Sequence, residues 1–214
     1  MFESIRENIT RRFRDLKIWA TNIPDNQGID DFQLTCFGLF FVYIYGLYEE
    51  IIRNIISATI NGLNSSSACL EQCIYGLYPL IFSTEYDSLY NVGNEHKWER
   101  RWDISSKFSA NPNIQIPYEL FPTDGKNIRI RQLESLFKSF GITESVLPSP
   151  AIGGYIQEMV NNRNDIAHGN KLPKEVGRQY TKADLLLRCD KVSEVCSYIC
   201  EVYARYIQEN KFIR

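Results

Sequence analysis

The chain has 214 residues, 44% hydrophobic and 23% charged, with a formal net charge of −2 and a sequence pI near 5.8. This composition is that of a folded globular chain long enough for one sizeable core, and its charge balance excludes a protein that coats nucleic acid through bulk electrostatics. The sequence reads as a single domain over 1–214, with a core over about 31–210 and an N-terminal helix over about 4–20 packed on it.

A hydrophobic period of 3.6 dominates and strict alternation is scarce, so an all-α fold is expected. Ile5, Ile9, Phe13, Leu16 and Trp19 repeat at helical spacing in the first helix, which the stretch from Pro24 to Gly28 ends. Residues 1–16 mix charge with hydrophobicity and lack the apolar run of a secretory signal. The second helix, 31–63, opens on Asp30 and Asp31, which suit a helix N-terminus. Its most apolar stretch, 34–48, falls short of the roughly 20 residues that span a bilayer, so it reads as a buried spine.

The serines at 65–67 suit the cap of a third helix reaching about residue 90, kinked or divided at Pro79. A fourth, 95–108, interleaves His96, Lys97, Arg100 and Arg101 with Trp98 and Trp102. That mixture suits stacking on bases and holding phosphates, so Lys97, Arg100 and Arg101 are candidate RNA contacts. The tryptophans at i, i+4 equally suit a core stripe with the basic residues solvated. Residues 110–125, with Pro112, Pro117 and Pro122, read as an irregular loop packed on the domain. Helices follow at 127–140, stopped by Gly141, and at 151–168. A loop with Gly169 and Pro173 precedes a last helix whose Thr181 and Asp184 make a capping box.

Cys69 with Cys73 and Cys196 with Cys200 are spaced i, i+4, and Cys189 lies seven before Cys196. These spacings put sulfurs on one helix face and lack the tight turns of zinc knuckles, so the cysteines read as small buried thiols in a reducing cytoplasm. No metal or cofactor is expected, and no membrane.

The most informative segment is Arg163, Asn164, Asp165, Ile166, Ala167 and His168, followed by Gly169; His168 is one of two histidines in the chain. On a helix, Ile152, Tyr155, Ile156, Met159, Val160, Ile166 and Ala167 form one apolar stripe with Arg163 in its middle. A guanidinium there calls for an anionic partner. Asn164 and His168 are i, i+4, whereas Arg163 and His168 diverge by about 140° on a straight helix. A distorted last turn, the reach of the arginine, or a second copy of the helix across a two-fold axis would bring them together.

An imidazole, a guanidinium and an amide suit phosphodiester transesterification in RNA, with the imidazole moving protons and the arginine holding phosphate. A bland alternative stands beside this, in which Arg163 is a paired interior arginine and His168 caps the helix end.

The string RNDIAHG, at the end of an amphipathic helix and before one long final helix, resembles the HEPN superfamily, and most closely its defence-associated RiboL-PSP-type branch. Weaker echoes are YGLYEEIIR, Tyr45 to Arg53, and GKNIRIRQLESLF, Gly125 to Phe137, and the resemblance covers about 34–207. It implies an antiparallel helical bundle with additional helices, a homodimer with its cleft at the interface, and metal-independent endoribonuclease activity in toxin or antiphage systems. It implies catalytic roles for Arg163, Asn164 and His168, and makes Glu49, or Glu50 in its place, the acidic partner of Arg163. RNA and a cognate antitoxin or operon-encoded effector are the implied partners. The rival expectation is a non-catalytic module of the same fold that dimerises or binds nucleotide.

Overall fold

The computed structural model describes residues 1–24 and 30–214. Helix α1, Phe2–Thr21, buries Phe2, Ile5, Ile9, Phe13, Leu16 and Ala20 along one side. Beyond Pro24, the expected Pro24–Gly28 stop lies outside the described residues. Helix α2, Asp31–Asn64, starts where the Asp30 carboxylate accepts the Gln33 N–H at 2.6 Å. A helix of 34 residues runs about 50 Å, so it is long and apolar enough to cross a membrane, contrary to the estimate from its apolar stretch alone. Its buried residues extend from Gln33 to Leu63, and it packs on four other helices: α1, the helix that carries the site segment, and the two that follow it.

After α2 the chain does not form the expected third helix. Ser67 takes a φ of 58°, and two 3-10 turns, Leu70–Gln72 and Tyr75–Leu77, lead into α3, Tyr78–Ile81, and α4, Ser83–Asn91. The reason is tertiary. The backbone around 68–74 bonds to distant strands of chain: Leu70 N–H to the Pro112 carbonyl, Ile114 N–H to that of Ala68, and Ile74 N–H to that of Phe212. Those groups are therefore spent outside a helix. Pro79 stands in the first turn of α3, where its missing N–H costs nothing.

Helix α5, Lys97–Ser109, pairs with α4 as an arm. Trp98 and Trp102 are 60% and 64% exposed, which overturns the core-stripe reading; Ile104 is the buried residue of α5. Residues 110–125 are irregular as expected and bury Ile114 and Ile116. Helix α6, Ile130–Ser139, ends before Gly141, whose φ of 67° is left-handed.

A 3-10 turn, Pro150–Ile152, leads into α7, Gly153–Ala167. The expected loop after it contains a short helix, α8, Pro173–Gly177. The final helix α9, Lys182–Gln208, begins in the expected box: Thr181 Oγ1 accepts the Asp184 N–H, and the Asp184 carboxylate accepts the Thr181 N–H at 2.8 Å. All nine α-helices and no β-strand are found among the described residues, so the fold is all-α. One core runs from Phe2 to Phe212 and gathers α1, α2, α7 and α9 around it.

The six cysteines are free thiols, four of them buried. Burial pushes the Cys189 thiol up to about 12 and that of Cys200 to about 11, which keeps both protonated.

Candidate functional site

Helix α7 carries the site because its two faces differ. Ile152, Ile156, Met159 and Val160 are buried; Tyr155 and Ile166 are half-buried and Ala167 is exposed, so the apolar stripe ends sooner than its sequence suggests. On another face Gly154, Gln157, Asn161, Asn164 and His168 recur at alternating spacings of three and four. They line an open groove of about 850 Å³ that also takes in Arg129, Asp165, Lys171 and Tyr180.

His168 is exposed, and its ring makes no hydrogen bond among the described residues. Its backbone N–H still bonds the Asn164 carbonyl at 2.9 Å, while α7 ends at Ala167 and His168 is its C-cap, with φ −94° and ψ 3°. Gly169 then turns the chain with a φ of 70°, its N–H bonded to the Ile166 carbonyl. The helix is regular up to Ala167, and Arg163 and His168 stay on different faces. No hydrogen bond joins them.

Arg163 instead lies 4.8 Å from the centre of the Tyr45 ring and donates to Asn164 Oδ1 at 3.1 Å. An aromatic face and an amide oxygen meet the guanidinium where a carboxylate was expected. Glu49 accepts from Arg53 at 3.0 Å, one turn along α2, and Glu50 pairs with Arg12 of α1 at 3.2 Å. Glu49 reaches the site indirectly. Burial raises the pKa of the Tyr45 hydroxyl, Glu49 raises it further, and Arg163 opposes both.

Three consecutive residues ahead of α6 fasten this arrangement. Asn127 donates its side-chain amide to Asn164 Oδ1 at 2.9 Å; the Ile128 N–H donates to the Tyr45 hydroxyl at 3.2 Å; Arg129 donates to Asn161 Oδ1 at 2.8 Å. With two N–H donors on its oxygen, the Asn164 amide has one orientation, since flipping it would set donor against donor. Its Nδ2 makes no hydrogen bond among the described residues.

The far wall of the groove is held by an ion pair. Arg188 of α9 grips Glu158 with two bonds of 2.7 and 2.9 Å, Tyr180 donates to Glu158 at 2.9 Å, and Asn162 donates to the Tyr180 hydroxyl at 2.7 Å. Past the motif, Lys171 pairs with Asp165 at 2.6 Å and lowers its pKa. Asp165 thus shapes the turn after His168.

Lys97, Arg100 and Arg101 lie on the α4–α5 arm and do not line this groove. Arg100 pairs with Asp103 at 3.5 Å and Arg101 lies 4.6 Å over the Trp98 ring. The sequence reading missed Asn127, Arg129 and Asn161. The alternating polar stripe on α7 was the signal for Asn161, while only tertiary structure brings 127–129 to it. Among the described residues no group of three or more His, Cys, Asp or Glu could hold a metal ion.

No curated protein and no solved structure matches the chain. A family model described as RiboL-PSP-HEPN matches residues 7–205, from within α1 to the last turn of α9, and so starts well ahead of the span that the motifs suggested. The all-α bundle, with Arg163 on α7 and His168 at its end, ahead of the long final helix, accords with that match: the chain belongs to the RiboL-PSP-HEPN family.

Proposed function

We propose that this protein is a HEPN-type endoribonuclease that cleaves RNA by transesterification, without a metal, in a cleft completed by a second copy of the chain. The observation that carries the proposal is the free, exposed imidazole of His168 on a polar helix face whose neighbour Asn164 is locked by Arg163 and Asn127.

In this reaction neutral His168 takes the proton of a ribose 2′-hydroxyl while the oxygen attacks the adjacent phosphorus. The O2′–P bond forms, the P–O5′ bond breaks, and a protonated imidazole gives its proton to the departing 5′-oxygen. The products are a 2′,3′-cyclic phosphate and a 5′-hydroxyl end. Proton transfer of this kind contributes about 10²- to 10⁴-fold in rate. Asn164 Nδ2 and the Arg163 guanidinium stabilise the charge on the non-bridging oxygens. Because the two faces of α7 diverge by about 140°, the Arg163 of one copy serves the His168 of the other, and the second imidazole is the acid.

Lys97, Arg100 and Arg101, beside the exposed Trp98 and Trp102, offer RNA a distal contact. The biological setting is a cytoplasmic toxin or antiphage effector, restrained by an antitoxin or an operon-encoded partner.

The test is incubation of purified protein with total RNA in EDTA, comparing wild type with His168→Ala and Arg163→Ala. Fragments ending in 2′,3′-cyclic phosphate are expected from the wild type alone. Equal cleavage by the variants would overturn the mechanism, and sedimentation as monomer at the active concentration would overturn the shared cleft. RNA binding without cleavage by the wild type is the outcome for a non-catalytic module.

A further inference from the structure

We infer that Arg129 is an RNA-phosphate contact of the His168 groove, holding a phosphate next to the one that is cleaved. This rests on the ribonuclease reading above and names a residue outside the motif.

The argument begins with charge. Of the charged side chains lining the groove, Glu158 is gripped by Arg188 and Asp165 is paired with Lys171. Arg129 has no carboxylate partner among the described residues; its guanidinium bonds only the neutral Asn161 oxygen, at 2.8 Å. One NH1 bond to an amide leaves most of the five guanidinium donors for a ligand. A cation tethered by a neutral group keeps its full charge for an anion, and the tether reduces the entropy lost on binding.

Position decides which phosphate it meets. Asn161 lies on α7 seven residues before the helix's C-cap, His168, so the two share a face and lie about 10 Å apart along the axis. Arg129 at Asn161 is therefore too far from His168 to serve the scissile phosphate and well placed for a flanking one. Gly154, one further repeat along the same face, has nothing within 4 Å of where a Cβ would stand, so the groove stays open for the chain to continue. Arg129 is then a binding residue, and its loss affects KM more than kcat.

The experiment uses the full-length protein, with a short 2′-O-methyl oligonucleotide of mixed sequence as an uncleavable probe and total RNA as the cleavable one. Arg129→Gln is expected to weaken probe binding about tenfold and to flatten the slope of log affinity against log salt by about 0.7, the value for one phosphate contact on a single strand. KM rises with kcat within about twofold. Arg129→Lys restores the salt slope, and Asn161→Ala, which frees the guanidinium but keeps its charge, leaves that slope unchanged. A thermal melt of Arg129→Gln matching the wild type separates this from misfolding. If Arg129→Gln binds the probe with wild-type affinity and slope while the wild type still cleaves and His168→Ala does not, the Arg129 assignment is overturned and the ribonuclease reading stands. If the wild type leaves RNA intact, the ribonuclease reading falls, and an unchanged salt slope in Arg129→Gln removes the phosphate contact with it.

Discussion

The guanidinium of Arg163 lies 4.8 Å from the centre of the Tyr45 ring, and the hydroxyl of that ring accepts the N–H of Ile128. One tyrosine of α2 therefore carries the motif arginine on its face and the 127–129 segment on its edge. Tyr45→Phe keeps the face and removes the acceptor, leaving a fully buried N–H unpaired. The expected cost is about 1–3 kcal/mol in urea unfolding. Tyr45→Leu loses the cation–π contact as well and should cost more. A Tyr45→Phe protein as stable as the wild type would refute the edge contact.

The same substitution has the opposite sign deeper in the core. Among the described residues the buried hydroxyls of Tyr48, Tyr203 and Tyr206 have no hydrogen-bond partner, and burial holds their pKa values above the usual range. Tyr203 packs edge-on against Phe137 and Phe140, contacts a phenyl ring preserves. Tyr203→Phe should be neutral or stabilising by up to about 1 kcal/mol, because an unpaired polar group leaves the interior. Thermal melts of the two phenylalanine variants side by side check the contrast.

Backbone contact fixes α8 against α2. A Cβ at Gly38 would overlap the Pro173 carbonyl, and one at Gly177 would overlap that of Leu34. These overlaps are with main chain, which cannot rotate away. Gly38→Ala and Gly177→Ala should each destabilise by about 1–3 kcal/mol or more. Because α8 follows the turn after His168, proteolysis within 169–180 should also accelerate. Wild-type stability in both variants would mean that the helices can separate freely.

The box that starts α9 gives a pH dependence. Hydrogen bonds from the Thr181 hydroxyl and N–H lower the Asp184 pKa below its usual 3.8. A folded-state pKa below the unfolded one means that the stabilisation is complete above about pH 4. It is lost as pH falls through the lower folded value. Asp184→Ala should cost about 1 kcal/mol at neutral pH, the usual worth of such a cap. The difference from wild type should shrink in unfolding measured at progressively lower pH. A difference that grows on acidification would contradict the sign.

Periodicity and end signals are local properties, and from them alone follow the helical class, the spine, the capping box of α9 and the end of α7 to within one residue, at Ala167 with His168 as its cap. The sequence also showed that Arg163 and His168 diverge, which follows from 100° per residue once the helix is regular. The stretch 65–90 departs from its helical pattern because backbone groups at 68–74 pair with residues 112, 114 and 212, and no local pattern announces such distant partners. Trp98 and Trp102 have core spacing but sit on an arm with little to bury them.

The surroundings of the motif were decided only by tertiary structure. The sequence called for an anion at Arg163; the fold supplied Tyr45 and Asn164, while Glu49 and Glu50 engaged Arg53 and Arg12. Residues 127–129 are far from α7 in sequence and reach it through three hydrogen bonds that only packing of α2, α6 and α7 aligns. Local sequence sets which face a side chain occupies, and the opposing elements determine what that face meets.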